Sequence, residues 1–293
     1  MKNNSLISLL KKYASCPVDK SKVLSLKTEE IEFENGLKYP IVNGKPILID
    51  EKNSLFKIED IKSKVNTTQN ATYHDRKYLK NLIRKNLPTL SYDNDIERRY
   101  YNLKKQSDNG SILIIGAGDK ISFYKNIFGE DVILSDVHLL FDCDIVFDTH
   151  QIPFADESMS LIILPQVLEH VHKPWIVAKE LERVVKSDGK ILIEVPFGFP
   201  IHSYYDFFRY TPRGIESLFD NCNVTNTAIP MGNWSTAAVA LENALTDSFS
   251  NRYLRMICVF LSRTLFWWLK YLDQKTKLEQ NFARGYSFEL VKK

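Results

Sequence analysis

Ser111-Ile112-Leu113-Ile114-Ile115-Gly116-Ala117-Gly118-Asp119-Lys120 is the stretch on which the fold turns. The apolar run Ile112 to Ile115 reads as a buried strand. Gly116-Ala117-Gly118 follows as a tight turn, where missing side chains let backbone N–H groups come close to a ligand. A second apolar run, Val132-Ile133-Leu134, leads to an acid, Asp136. An acid at the tip of the second strand of a βαβ unit can accept hydrogen bonds from both hydroxyls of a ribose. The pattern therefore places a nucleoside-bearing cofactor against Gly116, Ala117, Gly118, Asp136 and the adjacent Val137. A dinucleotide fingerprint would require a small residue at position 121, where this chain has Ile121. The plain alternative is a Gly-rich turn in an α/β protein that binds no cofactor.

Outward from this unit, apolar runs alternate with helical patterns, which implies a mainly parallel sheet. Strands are expected at 111–115, 131–135, 144–147, 160–164, 189–195, 222–228 and 286–291. Between 164 and 186 a helix carries its charges mostly on one face, and Ser187-Asp188-Gly189 ends it. Upstream, residues 1–52 read as short strands with hairpin turns at Asn35-Gly36 and Asn43-Gly44. Residues 53–75 are a polar linker, and 76–105 a helix with Tyr78, Leu79, Leu82 and Ile83 on one face. The main domain is then 76–293, with an insertion over about 231–284.

Composition narrows the class. The 293 residues suffice for one large domain and an appendage, and 44% apolar with 26% charged content is ordinary for a soluble globular chain. A net charge of +3 is too small to argue for nucleic acid. Cys16, Cys143, Cys222 and Cys258 are scattered without a C-x-x-C pair, which suits a reducing cytoplasm. The first twenty residues lack the apolar core of a secretory signal, and no run approaches the roughly 18 apolar residues of a membrane span.

More specific residues lie downstream. Asp148-Thr149-His150-Gln151-Ile152-Pro153-Phe154-Ala155-Asp156-Glu157-Ser158-Met159 resembles the D-x-x-x-L-P-F-x-D-x-S-F signature of class I S-adenosylmethionine-dependent methyltransferases, of the type 11 family. Gln166-Val167-Leu168-Glu169-His170-Val171 and Glu180-Leu181-Glu182-Arg183-Val184-Val185-Lys186-Ser187-Asp188-Gly189 extend the resemblance, which covers about residues 95–228. It implies a Rossmann-like seven-stranded sheet with helices on both faces, and S-adenosyl-L-methionine as cofactor. It also implies that Asp136 holds the ribose and that Asp148 accepts from the adenine amino group, with the Thr149 backbone beside the ring. Gln166 would lie near the methyl or the methionine tail. Ile114, Asp119, Lys120 and Ser160 depart from the family pattern, so contacts to the methionine amino group are left open. Residues 39–48, YPIVNGKPIL, resemble the end of a small zinc-ribbon family found beside methyltransferases. Its ligands are missing: Cys16 stands alone, with Asp19 at the second position, so no metal site is expected.

A hydroxyl acceptor gains from a general base, and His170, His202 and Asp206 are the candidates, with Asp206 orienting His202. His170 could equally pack at a helix start. Asp206-Phe207-Phe208-Arg209-Tyr210-Thr211-Pro212 resembles D-x-x-R-x-T-P of bacterial sugar and glycan methyltransferases, and Arg209 could instead be a structural ion-pair residue. The expected acceptor is a sugar or glycan hydroxyl. Other readings are a different small-molecule or lipid-linked acceptor, or a non-catalytic cofactor-binding scaffold. Residues 251–272 form an amphipathic pattern: Arg252, Arg255, Arg263 and Lys270 oppose Leu254, Ile257, Leu261, Leu265, Trp268 and Leu272. Such a helix either packs on the core or a second subunit, or lies in a membrane interface on the cytoplasmic side.

Overall fold

A computed structural model describes residues 2–63, 87–90, 93, 95–107, 110–275 and 281–293. The expected helix positions Tyr78, Leu79, Leu82 and Ile83 lie outside the described residues, as does most of the linker. The chain opens with helix α1 (Lys2–Tyr13) and strands β1 (Val23–Leu26), β2 (Glu30–Phe33), β3 (Lys38–Val42) and β4 (Lys45–Leu48). Short helix α2 (Ile58–Lys62) and helix α3 (Ile96–Lys105) precede β5 (Ile112–Ile115). Then come α4 (Ile121–Phe128), β6 (Ile133–Asp136), β7 (Ile145–Phe147), β8 (Met159–Pro165), α5 (Pro174–Val184) and β9 (Val185–Pro196). The remainder is α6 (Pro212–Glu216), β10 (Cys222–Met231), α7 (Asn233–Asp247), α8 (Arg252–Phe266), α9 (Lys270–Lys275) and β11 (Gly285–Lys292).

The seven expected strands all form, in the order β7-β6-β5-β8-β9-β11-β10. The first five run parallel, and β11 is antiparallel to both β9 and β10. The sheet does not stop at seven. Strand β4 pairs parallel to β7, with Ile47 opposite Val146 and Leu48 opposite Phe147, and β3, β2 and β1 follow antiparallel. The N-terminal strands are therefore continuous with the main sheet, which has eleven strands. A pattern of short apolar runs carries no information about this partner, because pairing of an edge strand is a long-range choice.

The alternation along each strand builds two cores. Leu113, Ile115, Ile162, Leu164, Ile191 and Ile193 point to one face, where Val177, Leu181 and Val184 of α5 cover them. Ile112, Ile114, Leu134, Leu161, Ile163 and Leu192 point to the other, under Tyr100 and Leu103 of α3 and Tyr124, Ile127 and Phe128 of α4. Burial of each such aliphatic side chain contributes about 1.5–3 kcal/mol relative to exposure. Cover on both faces is what a parallel sheet requires, and it leaves the carboxyl edge of β5, β6, β7 and β8 as the open place for a ligand.

The insertion forms as three consecutive helices, α7 to α9. Arg263 of α8 pairs with Glu242 of α7 at 2.9 Å, and Arg255 lies 3.6 Å from Asp247. The basic side of α8 thus faces α7. Its apolar side faces out: Leu254, Ile257, Leu261 and Leu265 are all exposed, as is Trp268 in the turn that follows. These five are not packed on the core, whereas Leu272 is half-buried. Among the described residues no helix is long and apolar enough to cross a membrane.

Candidate cofactor and acceptor site

The turn after β5 is built for glycine. Gly116 has φ +77° and Gly118 φ +56°, both in the region that L side chains rarely adopt. A Cβ on Gly116 would come within 2.3 Å of the Val167 Cγ2, whereas one on Gly118 would meet nothing within 4 Å. The amides behave differently from the sequence expectation. Gly116 N and Ala117 N both donate to the Ser135 carbonyl at 2.9 Å, and Gly118 N donates to Asp136 Oδ2 at 3.0 Å. Those N–H groups close the turn onto β6 instead of pointing at open space. What the glycines leave is room above Gly118.

Asp136, at the end of β6, is buried and also accepts from Val137 N at 2.7 Å and His138 N at 3.3 Å. Burial raises its carboxyl above the usual carboxylate range, against the pull of His138 and these three amides. Asp148 follows β7. It accepts from His150 N at 3.0 Å and faces His150 Nδ1 at 2.6 Å, and its second oxygen takes the Ser54 hydroxyl. Burial would raise its pKa, but the bonds from His150 and Ser54 outweigh that and hold it low. An ionised carboxylate offers about four acceptor positions, so each of these acids retains one. Thr149 is buried beside Asp148 in a single 3₁₀ turn. Gln166 directly follows β8 with φ +57°, an unusual conformation for a residue with a side chain, and is exposed at the carboxyl edge.

Ser54 had no sequence signal of its own. It arrives because the chain leaving β4 runs across the carboxyl edge of the sheet, where Phe56 meets Tyr205 edge to face at 6.1 Å between centroids.

The loop after β9 gathers the candidate bases. The His170 and His202 rings lie 4.9 Å apart. His170 Nδ1 is held by the Tyr205 carbonyl and lies 3.1 Å from the Ser203 Oγ. Asp206, its side chain 1% exposed, accepts from His202 N at 3.0 Å, and its Oδ2 lies 3.0 Å from His202 Nδ1, close but poorly aligned for a hydrogen bond. Burial lowers the pKa of both histidines, so both rings are neutral at pH 7. Arg209 takes both Asp206 oxygens and also donates to the carbonyls of Phe199, Pro200 and Phe208. This is the structural ion-pair reading of Arg209.

Glu169 was missed as a site residue. It is wholly buried, neither carboxylate oxygen has a hydrogen-bond partner, and burial pushes its pKa up to about 8. A charged residue between apolar Leu168 and Val171, next to a histidine, was the available signal. His150 and His172 were also unremarked, and their rings sit 4.4 Å apart between Asp148 and the loop. In the N-terminal strands, Asn35 Nδ2 bridges Cys16 Sγ at 3.2 Å and Asp19 Oδ1 at 2.9 Å, tying together the two positions where the ribbon resemblance would put ligands. A cavity of about 650 Å³ lies elsewhere, between α3, β10 and α9.

Residues 131–193 match the family model described as methyltransferase domain. The matched stretch runs from the approach to β6 into β9. The chain is 28% identical over 113 residues to the uncharacterized protein YafE of Escherichia coli K12, a match covering 36% of this chain and 52% of that protein. The chain thus spans about half the length of that curated relative. Among solved structures, it is similar to a sarcosine dimethylglycine methyltransferase, described as putative, from Galdieria sulphuraria (13% identity, 75% of this chain and 97% of that one, TM-score 0.43). It is also similar to a phosphoethanolamine N-methyltransferase of Haemonchus contortus in complex with S-adenosyl-L-methionine (14% identity, 67% and 52%, TM-score 0.39). Asp136 and Asp148 suit a nucleoside: both are buried acids with an acceptor position left, at the ends of adjacent strands, and Gly118, whose amide bonds Asp136, has nothing within 4 Å of where a Cβ would stand.

Proposed function

We propose that this chain is an S-adenosylmethionine-dependent methyltransferase that O-methylates a hydroxyl of a sugar or glycan. The observation that carries this reading is the His202–Asp206 pair, with neutral His170 beside it, on the loop that follows β9. When bound, the cofactor supplies an activated methyl group. Asp136 with Val137 and the turn at Gly116, Ala117 and Gly118 holds the ribose and methionine portions. Asp148 and Thr149 hold the adenine, and Gln166 reaches toward the methionine tail. His202, with Nδ1 beside Asp206, takes the acceptor proton at Nε2, and His170 lines the same pocket. Orientation of the two reactants accounts for about 7–11 kcal/mol of such a reaction, and a base for about 10²- to 10⁴-fold in rate.

Calorimetry with S-adenosylhomocysteine tests the cofactor half. Wild type is expected to bind, and Asp136→Ala to lose about 2 kcal/mol, roughly 30-fold in affinity, because the charge-assisted bond to the ribose disappears. Absence of binding by wild type would sink the enzyme reading. Binding without turnover on any hydroxyl acceptor would favour a cofactor-binding scaffold.

The exposed apolar side of α8 supports a place at the cytoplasmic membrane face, where a lipid-linked glycan would be presented. Co-sedimentation with phospholipid vesicles is expected. Full recovery in the supernatant, or a dimer that hides Trp268 from a quencher, would assign the stripe to a second subunit.

A further inference from the structure

We propose that Glu169, His170 and His202 form a binding site for one divalent transition-metal ion of the zinc type. Among the described residues they are the one group of this kind, with a ligand atom from each lying within 4.8 Å of the others. The proposal rests on the reading of this site as the acceptor pocket, and it changes one step of that reading.

Three observations converge. Glu169 is wholly buried with both oxygens unpartnered, and its Oε1 lies 3.7 Å from His170 Nε2. A buried carboxylate without donors is a costly arrangement, and a cation resolves it. His170 is already oriented as metal-bound histidines are: Nδ1 faces a backbone carbonyl, so it carries the hydrogen and leaves the Nε2 lone pair toward Glu169. His202 Nδ1 has Asp206 Oδ2 only 3.0 Å away, close though not aligned as a hydrogen bond, and Asp206 is itself fixed by Arg209. His170 thus has an outer partner of the kind that tunes a metal site, His202 has a carboxylate beside its Nδ1, and Glu169 has no hydrogen-bond partner on its carboxylate.

The donor set names the ion class. Two imidazoles and one carboxylate suit zinc and its neighbours, not calcium or magnesium, which favour all-oxygen shells. Bonds of about 2.0–2.2 Å require ligand atoms no more than roughly 4.2 Å apart, so modest side-chain rotation closes the trio. Three protein ligands leave a coordination position for the acceptor oxygen. Its hydroxyl is then acidified by the ion and releases its proton to water, and His202 is a ligand instead of the base.

The test is calorimetric titration of chelator-stripped full-length protein with Zn²⁺, and with Co²⁺ read by visible absorption. One ion per chain is expected, with a Co²⁺ band typical of a four- or five-coordinate site. Glu169→Gln and His202→Ala are each expected to weaken binding more than about 100-fold, beyond the usual effect of losing an outer partner. Circular dichroism and S-adenosylhomocysteine binding should be retained in both variants. Wild type that binds no stoichiometric ion, or variants that bind it as wild type does, would overturn the metal site and leave His202 as base. Loss of S-adenosylhomocysteine binding in wild type would instead strike the methyltransferase reading, whatever the metal result.

Discussion

Alanine at position 116 is expected to destabilise the protein by about 2–5 kcal/mol and to lower S-adenosylhomocysteine affinity with it. Two separate penalties add. An L residue held at φ +77° costs about 1–2 kcal/mol. The new methyl would press on Val167 Cγ2 from 2.3 Å, and overpacking of that kind costs about 1–3 kcal/mol. For a domain of this size, 3 kcal/mol corresponds to a melting temperature lower by roughly 6–12 °C. The double variant Gly116→Ala/Val167→Ala separates the two. It should recover the packing part and keep the backbone part, so thermal denaturation should fall between wild type and the single variant. Equal melting temperatures for the single and double variants would show that Val167 does not press on the turn.

Arg209→Ala is expected to be comparably severe, by a different route. It strips the bidentate partner from Asp206, whose side chain is 1% exposed, and frees three backbone carbonyls of the loop. Breaking a buried pair by removing one member costs about 3–5 kcal/mol, and the low end applies because Arg209 itself is 22% exposed. Lysine should rescue little, because a single ammonium cannot span both Asp206 oxygens and the carbonyls of Phe199 and Pro200. Hydrogen exchange should accelerate over residues 199–209 while β5 and β6 stay protected. S-adenosylhomocysteine affinity should hold while kcat falls, since Arg209 acts by positioning Asp206 and His202. Unchanged exchange in the loop would contradict this.

The parts legible in sequence were those set by local pattern. Strand β5, the Gly116–Gly118 turn and the acid at Asp136 follow from apolar runs ending in polar residues, while Asp148 came from the resemblance of its stretch to a methyltransferase signature. The alternation of Ile112, Leu113, Ile114 and Ile115 already assigns them to two faces. The illegible parts all depend on what distant segments do. Glu169 is buried because the loop after β9 folds over it, with Phe207 N and Phe208 N donating to the Glu169 carbonyl and Tyr210 reaching that of Leu168. Ser54 meets Asp148 across 94 positions of sequence. The outward turn of Leu254, Ile257 and Leu265 follows from Arg263 and Glu242 pairing on the opposite side. A helical wheel gives two faces and no indication of which one the rest of the molecule occupies.

The pairing of β4 with β7 has a consequence for the protein in solution. In a sheet that ended at β7, Ile145, Val146 and Phe147 would present a bare row of amides and carbonyls flanked by apolar side chains, a template for a strand of another molecule. The N-terminal strands occupy that row and hand the boundary on to β1, a strand of four residues with an irregular register at Val23 to Ser25. Short, irregular borders recruit poorly. The segment that lacks the ligands of a zinc ribbon therefore retains a use as a terminator, keeping a long twisted ribbon of strands from growing sideways into its neighbours.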